Sequence, residues 1–124
     1  MRYLLDTHVL LWLLTDEPVE SSARTALADP ANDVLVSMAS LWEIAIEQGL
    51  GRLSPPEDPG DAAVAMGFAL LGVEPEHVRA VAGLPHHHRD PFDRMLVAQA
   101  AIEGLVLVTR DRRLPAYEVP TLLA

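Results

Sequence analysis

With 124 residues, half of them hydrophobic, the chain is long enough for one compact core and too apolar to be disordered. It has neither Cys nor Lys, which excludes disulfide frameworks, thiolate metal sites, P-loops and Schiff-base enzymes. Its net charge of −9 argues at first against nucleic-acid binding, because phosphate contacts need cations. We therefore expect a single, acidic domain over residues 1–124.

Apolar runs and helical patterns alternate along the chain. Short apolar runs predict strands at 2–5, 33–37 and 105–109, with weaker candidates at 72–74 and 118–122. Helical patterns lie at 7–14, 21–28, 38–48, 60–71, 75–82 and 91–103. This alternation predicts an α/β fold, a three-layer α/β/α sandwich around a mainly parallel sheet of about five strands.

The N-terminal segment, residues 1–18, is apolar but does not resemble a signal peptide. It carries Asp6 and His8 inside the apolar stretch and lacks a small-residue cleavage site. No apolar run approaches the roughly 20 residues that a bilayer span needs. Together with the absence of Cys, these features favour a cytoplasmic protein without membrane contact.

Four acidic residues lie close to the predicted strands. Asp6 ends the first strand, and Asp111 stands just beyond the strand at 105–109. Glu43 lies early in the helix that follows the second strand, and Asp93 lies in the first turn of the last helix. Because open parallel sheets bind ligands beyond the carboxyl ends of their strands, we expect these carboxylates to meet at one sheet edge.

Three of these acids also have a purely structural interpretation. Asp6 could cap the following helix, although its neighbours Leu5 and Val9 would leave it partly desolvated. Glu43 could extend its carboxylate to solvent at the edge of an apolar helix face, or it could pair with an Arg, since an isolated buried carboxylate is costly. Asp111 could be an ordinary turn residue.

The last helix begins with two acids that have different expected roles. Asp90 at the N-cap, followed by Pro91, is explained as a helix cap, so we expect it to support the site structurally. Asp93 could extend the cap, but it also starts a stripe with Leu96 and Val97 that faces inward. A role in the site is therefore favoured for Asp93.

Basic residues gather in the same part of the chain. Residues 89–113 hold 5 of the 9 Arg against 4 acids, so an acidic protein retains a basic neighbourhood. RNA contact is expected from Arg89, Arg94, Arg110 and Arg112. The run at 86–88 is three consecutive His, which cannot all face one metal ion, and we expect a solvated loop that touches RNA.

Clustered carboxylates repel each other unless a cation neutralises them. Oxygen ligands of this kind suit Mg²⁺ or Mn²⁺ better than zinc or copper. Such ions lower the pKa of bound water and stabilise the attacking and leaving oxygens of a phosphoryl displacement. Phosphodiester hydrolysis is the chemistry that these residues indicate.

The segments LLDTHVLLWLL, SLWEIAI, HHHRDPFDRMLVAQA and LVLVTRD resemble, in this order, the PIN-domain family, in particular its VapC-type toxins of bacterial toxin–antitoxin pairs. The resemblance covers essentially the whole chain, and DPFDRMLVAQA is its most specific part. It implies an acidic set of Asp6, Glu43, Asp93 and Asp111, with Thr7 as a polar neighbour. It also implies Mg²⁺- or Mn²⁺-dependent endoribonuclease activity, inhibition by a cognate antitoxin and a homodimer. One departure is Glu47, where relatives often carry Lys.

Other functions fit the sequence less well. A receiver domain would require a Lys after a late strand, and a haloacid-dehalogenase-like phosphatase would require an Asp where His8 stands. A catalytically inactive PIN-like module that binds RNA or protein remains open. The excess of negative charge in residues 1–88 would attract a basic protein partner.

Overall fold

The computed structural model describes residues 1–124. The strands are β1 (Arg2–Leu5), β2 (Asp33–Ser37), β3 (Ala69–Leu71), β4 (Val106–Thr109) and β5 (Thr121–Leu123). The helices are α1 (Thr7–Leu14), α2 (Ser21–Ala28), α3 (Met38–Gly49), α4 (Pro59–Ala65), α5 (Pro75–Ala82) and α6 (Pro91–Glu103). A 3₁₀ helix spans Leu114–Tyr117, and none of the helices is long and apolar enough to cross a membrane.

The five strands form one sheet in the order β3-β2-β1-β4-β5, and every neighbouring pair is parallel. From β1 the chain builds the sheet outward on one side through β2 and β3. It then crosses to the other side of β1 and adds β4 and β5. The predicted α/β sandwich is confirmed, and the strand order reverses at β1, beyond whose carboxyl end a ligand site is expected.

Apolar side chains cover both faces of the sheet. Leu4 and Leu107 belong to one buried cluster, whereas Leu5 and Val108 belong to the other. This split follows from the alternation of side chains along a strand. Because the middle of each central strand is buried on both faces, it is hydrophobic, and polar residues stand where the strands begin or end.

The prediction of a helix over 60–71 is wrong in its second half. Helix α4 ends at Ala65, and Gly67, with φ of 86°, takes the left-handed conformation that closes it. Strand β3 occupies Ala69–Leu71, where a helix was expected. The strand predicted at 72–74 is therefore misplaced, because the helix stops at a glycine that the apolar pattern does not mark.

The C-terminal part also differs in detail from the prediction. The strand expected at 118–122 lies at Thr121–Leu123, after the 3₁₀ helix. Glu118 separates these two elements and adopts a positive φ of 63°. The shift leaves the parallel pairing with β4 intact, with Thr109 opposite Leu123.

Candidate active site

Asp6 lies at the carboxyl end of β1 and is 5% exposed. Its Oδ2 atom accepts a 2.7 Å hydrogen bond from the Thr109 hydroxyl at the end of β4. Its Oδ1 atom is buried and has no hydrogen-bond partner. Although Asp6 occupies the N-cap position of α1, its side chain makes no capping bond. The simple capping interpretation therefore fails, and the carboxylate keeps one buried oxygen without a protein partner.

Glu43 lies in the second turn of α3, close enough to Asp6 and Asp93 for their charges to interact. We call the site formed by Asp6, Glu43, Asp93 and Asp111 the acidic pocket. Its Oε1 atom is also buried without a partner. Burial raises the pKa of Glu43, the charges of Asp90 and Asp6 raise it further, and a hydrogen bond with Thr7 opposes the rise. The Thr7 hydroxyl is itself buried, 2.9 Å from Ser40 Oγ. No Arg pairs with Glu43, so the ion-pair interpretation fails, whereas its half-buried side chain still fits a position at the edge of the helix face.

Asp93 is presented by the first turn of α6. The N-cap is Asp90, whose Oδ1 accepts the backbone N–H groups of Phe92 and Asp93, so the expected division of roles between the two acids has a structural basis. Burial raises the pKa of Asp93 to about 8, and the charges of Asp6, Asp90, Glu43 and Asp111 add to the rise. Without a cation, this pocket holds Asp93 mostly protonated at neutral pH.

Asp111 has a different environment because two basic side chains face it. Arg113 donates from Nε to Oδ1 at 3.0 Å and from a terminal nitrogen to Oδ2 at 2.9 Å. Its backbone N–H also bonds to Oδ1. Hydrogen bonds from Arg113 and, less strongly, His88 lower the pKa of Asp111 despite partial burial. Asp111 therefore contributes a carboxylate whose negative charge is paired with the guanidinium of Arg113.

His88 is the main residue that the sequence interpretation misplaced. Unlike exposed His86 and His87, it is 6% exposed, and its Nε2 lies 2.9 Å from Asp111 Oδ2 and 3.1 Å from Asp93 Oδ2. Its Nδ1 accepts the backbone N–H of Asp90, so the proton of the neutral ring is on Nε2. The prediction of a solvated RNA-contacting loop is wrong for His88, which bridges two of the acids instead.

Arg94, which was expected to contact RNA, is a structural residue. It is 8% exposed and donates to the backbone carbonyls of Pro85, Val81 and Leu84. A further bond at 3.2 Å reaches the hydroxyl of Tyr117. These contacts stabilise the segment before α6. The prediction for Arg94 is therefore wrong, because its guanidinium donates its hydrogen bonds within the protein.

The other three predicted RNA contacts divide into one engaged residue and two free ones. Arg110 donates to the carbonyls of Ala124 and Pro18 and stacks on Trp12, with 3.9 Å between its Cζ and the ring centre. Its Nε and one terminal nitrogen are therefore bonded within the protein, contrary to the expected RNA contact. Arg89 and Arg112 are exposed and stay candidates for RNA contact.

The pocket residues fit a hard divalent cation. Asp6 and Glu43 each offer a buried oxygen without a partner, and the raised pKa of Asp93 shows that the uncompensated charge is unfavourable. Ligand atoms of His88, Asp93 and Asp111 all lie within 4.8 Å of one another. Since His88 Nε2 carries a proton, the free donors are oxygens, and such a set suits Mg²⁺ or Mn²⁺.

A carboxylate pocket at the strand-order reversal of a parallel sheet places this chain in the class of α/β proteins with an acidic centre whose side chains could hold a cation. A sequence profile of the PIN domain matches residues 3–120. The chain therefore belongs to the PIN-domain family, and the resemblance seen in its motifs is confirmed.

Relatives and solved structures agree with this assignment. Ribonuclease VapC22 of Mycobacterium tuberculosis is 31% identical over 120 residues, which cover 94% of this chain and 92% of that protein. Among solved structures, the fold is similar to VapBC2 from Rickettsia felis bound to a promoter DNA fragment, with a TM-score of 0.72, 15% identity and coverage of 99% and 98%. It is also similar to a toxin–antitoxin complex from Klebsiella pneumoniae, with a TM-score of 0.64, 18% identity and coverage of 97% and 95%. At these identities the structural likeness concerns the fold.

Proposed function

We propose that this protein is a metal-dependent endoribonuclease that hydrolyses RNA phosphodiester bonds as the toxin of a type II toxin–antitoxin pair. The observation that carries the proposal is the convergence of Asp6, Glu43, Asp93 and Asp111, in which two buried oxygens lack partners and Asp93 has a pKa of about 8. Such a site favours binding of a divalent cation. Similarity to Ribonuclease VapC22 supports RNA as the substrate class.

Four side chains would hold Mg²⁺ or Mn²⁺: Asp6, Glu43, Asp93 and Asp111. When bound, the cation supplies an activated water and neutralises charge that develops on the phosphate. Thr109 orients Asp6 by occupying its Oδ2, which leaves Oδ1 toward the pocket. His88 keeps Asp93 and Asp111 at hydrogen-bond distance from one ring nitrogen.

The carboxyl of Asp93 is the group that holds a proton at neutral pH when the pocket is uncompensated. Loss of this proton is coupled to binding of a cation, because positive charge restores the ordinary preference for the carboxylate. Asp90 maintains the position of Asp93 by capping α6. The positions of these acids, on separate strands and helices, give the pocket rigid walls.

For partners, we propose a cognate antitoxin and a second copy of this chain. The similar fold found in a toxin–antitoxin complex supports the first, and the net charge of −9 suits a basic antitoxin segment. The second is supported by an apolar cavity of about 390 Å³ beside Trp42, Val78 and Phe92, where Trp42 is 63% exposed. We further propose that the chain acts as one nuclease domain in the cytoplasm, where cellular RNA is present.

The test of the nuclease function is RNA cleavage by purified wild-type protein and by Asp6→Asn, each with Mg²⁺, with Mn²⁺ and with EDTA. We expect cleavage by the wild type with metal only, and a loss of at least about a hundredfold in Asp6→Asn. Asp33→Asn, which changes an exposed acid at the opposite end of the sheet, serves as the matched control. Cleavage that persists in EDTA would contradict the mechanism.

The alternative is the catalytically inactive module. It would be favoured if antitoxin-free wild type bound RNA without cutting it under any metal condition. Size-exclusion chromatography with light scattering tests the second copy, with Trp42→Glu expected to give a monomer. A monomeric wild type would contradict that part of the proposal without affecting the nuclease function.

A further inference from the structure

A cleft of about 310 Å³ lies between α1 and α3 and is lined by one of the four acids, Glu43, together with its hydrogen-bond partner Thr7. Three apolar side chains, Leu11, Ile44 and Leu53, belong to its lining. Three charged or titratable side chains complete the lining: His8, Glu47 and Arg52. The cleft thus combines polar and apolar side chains and includes a proposed metal ligand.

The C-terminal cap of α3 positions the backbone of Arg52 beside this cleft. Gly51 has a positive φ of 73°, its N–H bonds to the carbonyl of Gln48, and the N–H of Arg52 bonds to the carbonyl of Glu47. This pair of bonds is a Schellman motif, which fixes the chain reversal after a helix. The backbone of Arg52 is therefore positioned by the helix end, although the residue lies in the loop that follows.

The side chain of Arg52, in contrast, is only loosely engaged. It is 66% exposed, and its single partner is Glu47 Oε2 at 3.7 Å. An exposed pair with one long contact contributes little to stability. Glu47 lies one helical turn, about 6 Å, along α3 from Glu43. Arg52 can therefore turn from Glu47 to another anion in the cleft at small cost.

Three other arginines near the pocket do not have this freedom, whereas the exposed Arg89 and Arg112 are free but do not line the cleft. Arg113 is bound to both oxygens of Asp111, Arg94 is buried among carbonyls, and Arg110 is stacked on Trp12. Among the arginines close to the acidic pocket, Arg52 alone lines the cleft that reaches Glu43. An RNA strand whose scissile phosphate reaches the acids needs a cation where its neighbouring phosphate lies.

We propose that Arg52 binds a backbone phosphate of the RNA substrate in the α1–α3 cleft, and that Glu47 competes with this phosphate for the guanidinium. The inference rests on the proposed ribonuclease function and adds a substrate-binding residue outside the acidic set. Arg52 thereby sets the direction in which the RNA strand leaves the active site, along α3. Glu47 lowers the affinity for RNA by holding Arg52 when the cleft is empty.

The first test is steady-state RNA cleavage by Arg52→Ala at saturating Mg²⁺ and several KCl concentrations. We expect KM to rise about threefold to tenfold with kcat nearly unchanged, since one charge-assisted contact to phosphate is lost. The slope of log(kcat/KM) against log[KCl] should become shallower by about 0.7, the value for one phosphate contact on single-stranded nucleic acid. Arg52→Lys should keep the salt slope and part of the affinity.

The second test concerns Glu47. Glu47→Gln should lower KM about twofold to threefold in the wild-type background, and by less in Arg52→Ala, because the competition requires the guanidinium. Arg24→Ala, an exposed substitution on α2, is the matched control for loss of one positive charge. Thermal unfolding of every variant separates loss of binding from loss of folded protein.

The results distinguish this inference from the nuclease proposal. If the wild type cleaves RNA but Arg52→Ala has the same KM and salt slope, the role of Arg52 is refuted and the nuclease function stands. If Arg24→Ala changes KM as much as Arg52→Ala, the effect is one of overall charge and the inference is likewise refuted. A wild type without metal-dependent cleavage would refute the proposed function itself.

Discussion

The Thr109 hydroxyl donates to Oδ2 of Asp6 at 2.7 Å, and this contact joins the ends of β4 and β1. The Thr109 hydroxyl oxygen in turn accepts a hydrogen bond from the backbone N–H of Asp111 at 3.0 Å. One small side chain thus sets the orientation of one proposed ligand and the backbone of another. We expect Thr109 to determine how well the pocket would bind a metal ion, because its hydroxyl bonds to both segments that carry these ligands.

Replacing Thr109 by Val keeps the size and the strand preference but removes the hydroxyl. We expect the Mg²⁺ concentration for half-maximal cleavage to rise about tenfold or more, as is typical for partners that orient metal ligands. Titration of cleavage rate with Mg²⁺ measures this effect. Thr25→Val, an exposed change on α2, is the control, and equal Mg²⁺ requirements in both variants would contradict the role of Thr109.

Asp93→Asn should separate stability from activity. The variant removes a carboxyl whose pKa is about 8 because of burial and four neighbouring acids, so the metal-free protein should become more stable by roughly 1–3 kcal/mol at pH 8. Cleavage should be lost at the same time. Denaturant unfolding in EDTA and a cleavage assay with Mg²⁺ check both parts, and a destabilised, fully active variant would contradict the prediction.

The pH dependence of stability follows from the same group. A carboxyl whose folded-state pKa exceeds the ordinary 3.8 favours folding at low pH, and this contribution is lost as pH rises from about 4 to about 8. In EDTA, the stability advantage of Asp93→Asn over wild type should therefore grow between pH 5 and pH 8. Added Mg²⁺ should reduce the difference, since bound cation compensates the carboxylate. A gap that is constant with pH would show that Asp93 is not the titrating group.

We expect His88 to be needed for full cleavage activity, whereas the exposed His86 and His87 are not. His88→Ala removes the ring that bridges Asp93 and Asp111 and leaves the Asp90 N–H without its acceptor. We expect cleavage to fall about tenfold to a hundredfold, with the Mg²⁺ requirement raised. His86→Ala is the matched control because His86 is exposed. Equal activity of the two variants would mean that the acids keep their positions without the imidazole.

Arg94 should affect stability and leave the intrinsic activity of folded protein unchanged. Arg94→Ala strands the carbonyls of Pro85, Val81 and Leu84, which should cost about 2–4 kcal/mol in the free energy of unfolding. Arg89→Ala and Arg112→Ala, both exposed, should leave stability within about 0.5 kcal/mol. Chemical denaturation measures these differences, and an Arg94→Ala protein as stable as wild type would contradict the structural assignment.

The sequence was most informative where periodicity and caps agree. Helix α6 begins as predicted, because Asp90, Pro91 and Asp93 form an N-terminal signal that depends only on local geometry. The alternation of strands and helices was likewise enough to predict a parallel sheet of about five strands. Asp6 and Asp111 could be selected because each follows an apolar strand, and Glu43 and Asp93 because each lies early in a predicted helix.

The residues that sequence reasoning missed depend on contacts between distant segments. His88 lies in an irregular loop, and only the folded chain brings its ring between Asp93 and Asp111. Arg94 was counted as a surface charge because its partners are backbone carbonyls, which a sequence does not identify. The end of α4 was missed because the apolar pattern continues over 60–71. The helix ends through the positive φ of Gly67, and a single glycine in a sequence does not indicate its φ. A local signal existed only for Arg113, two residues after Asp111 in an Asx-type turn.

The strand order has a consequence for folding of the chain during its synthesis. Strands β1, β2 and β3 are adjacent in space and are synthesised first, so they can pair while the rest of the chain is still being made. The contact between Asp6 and Thr109 spans 103 residues and forms only after β4 has left the ribosome. A nascent chain therefore carries Asp6 and Glu43 without their partners from α6 and β4. The set of four acids is therefore complete only after the chain beyond β4 has been synthesised.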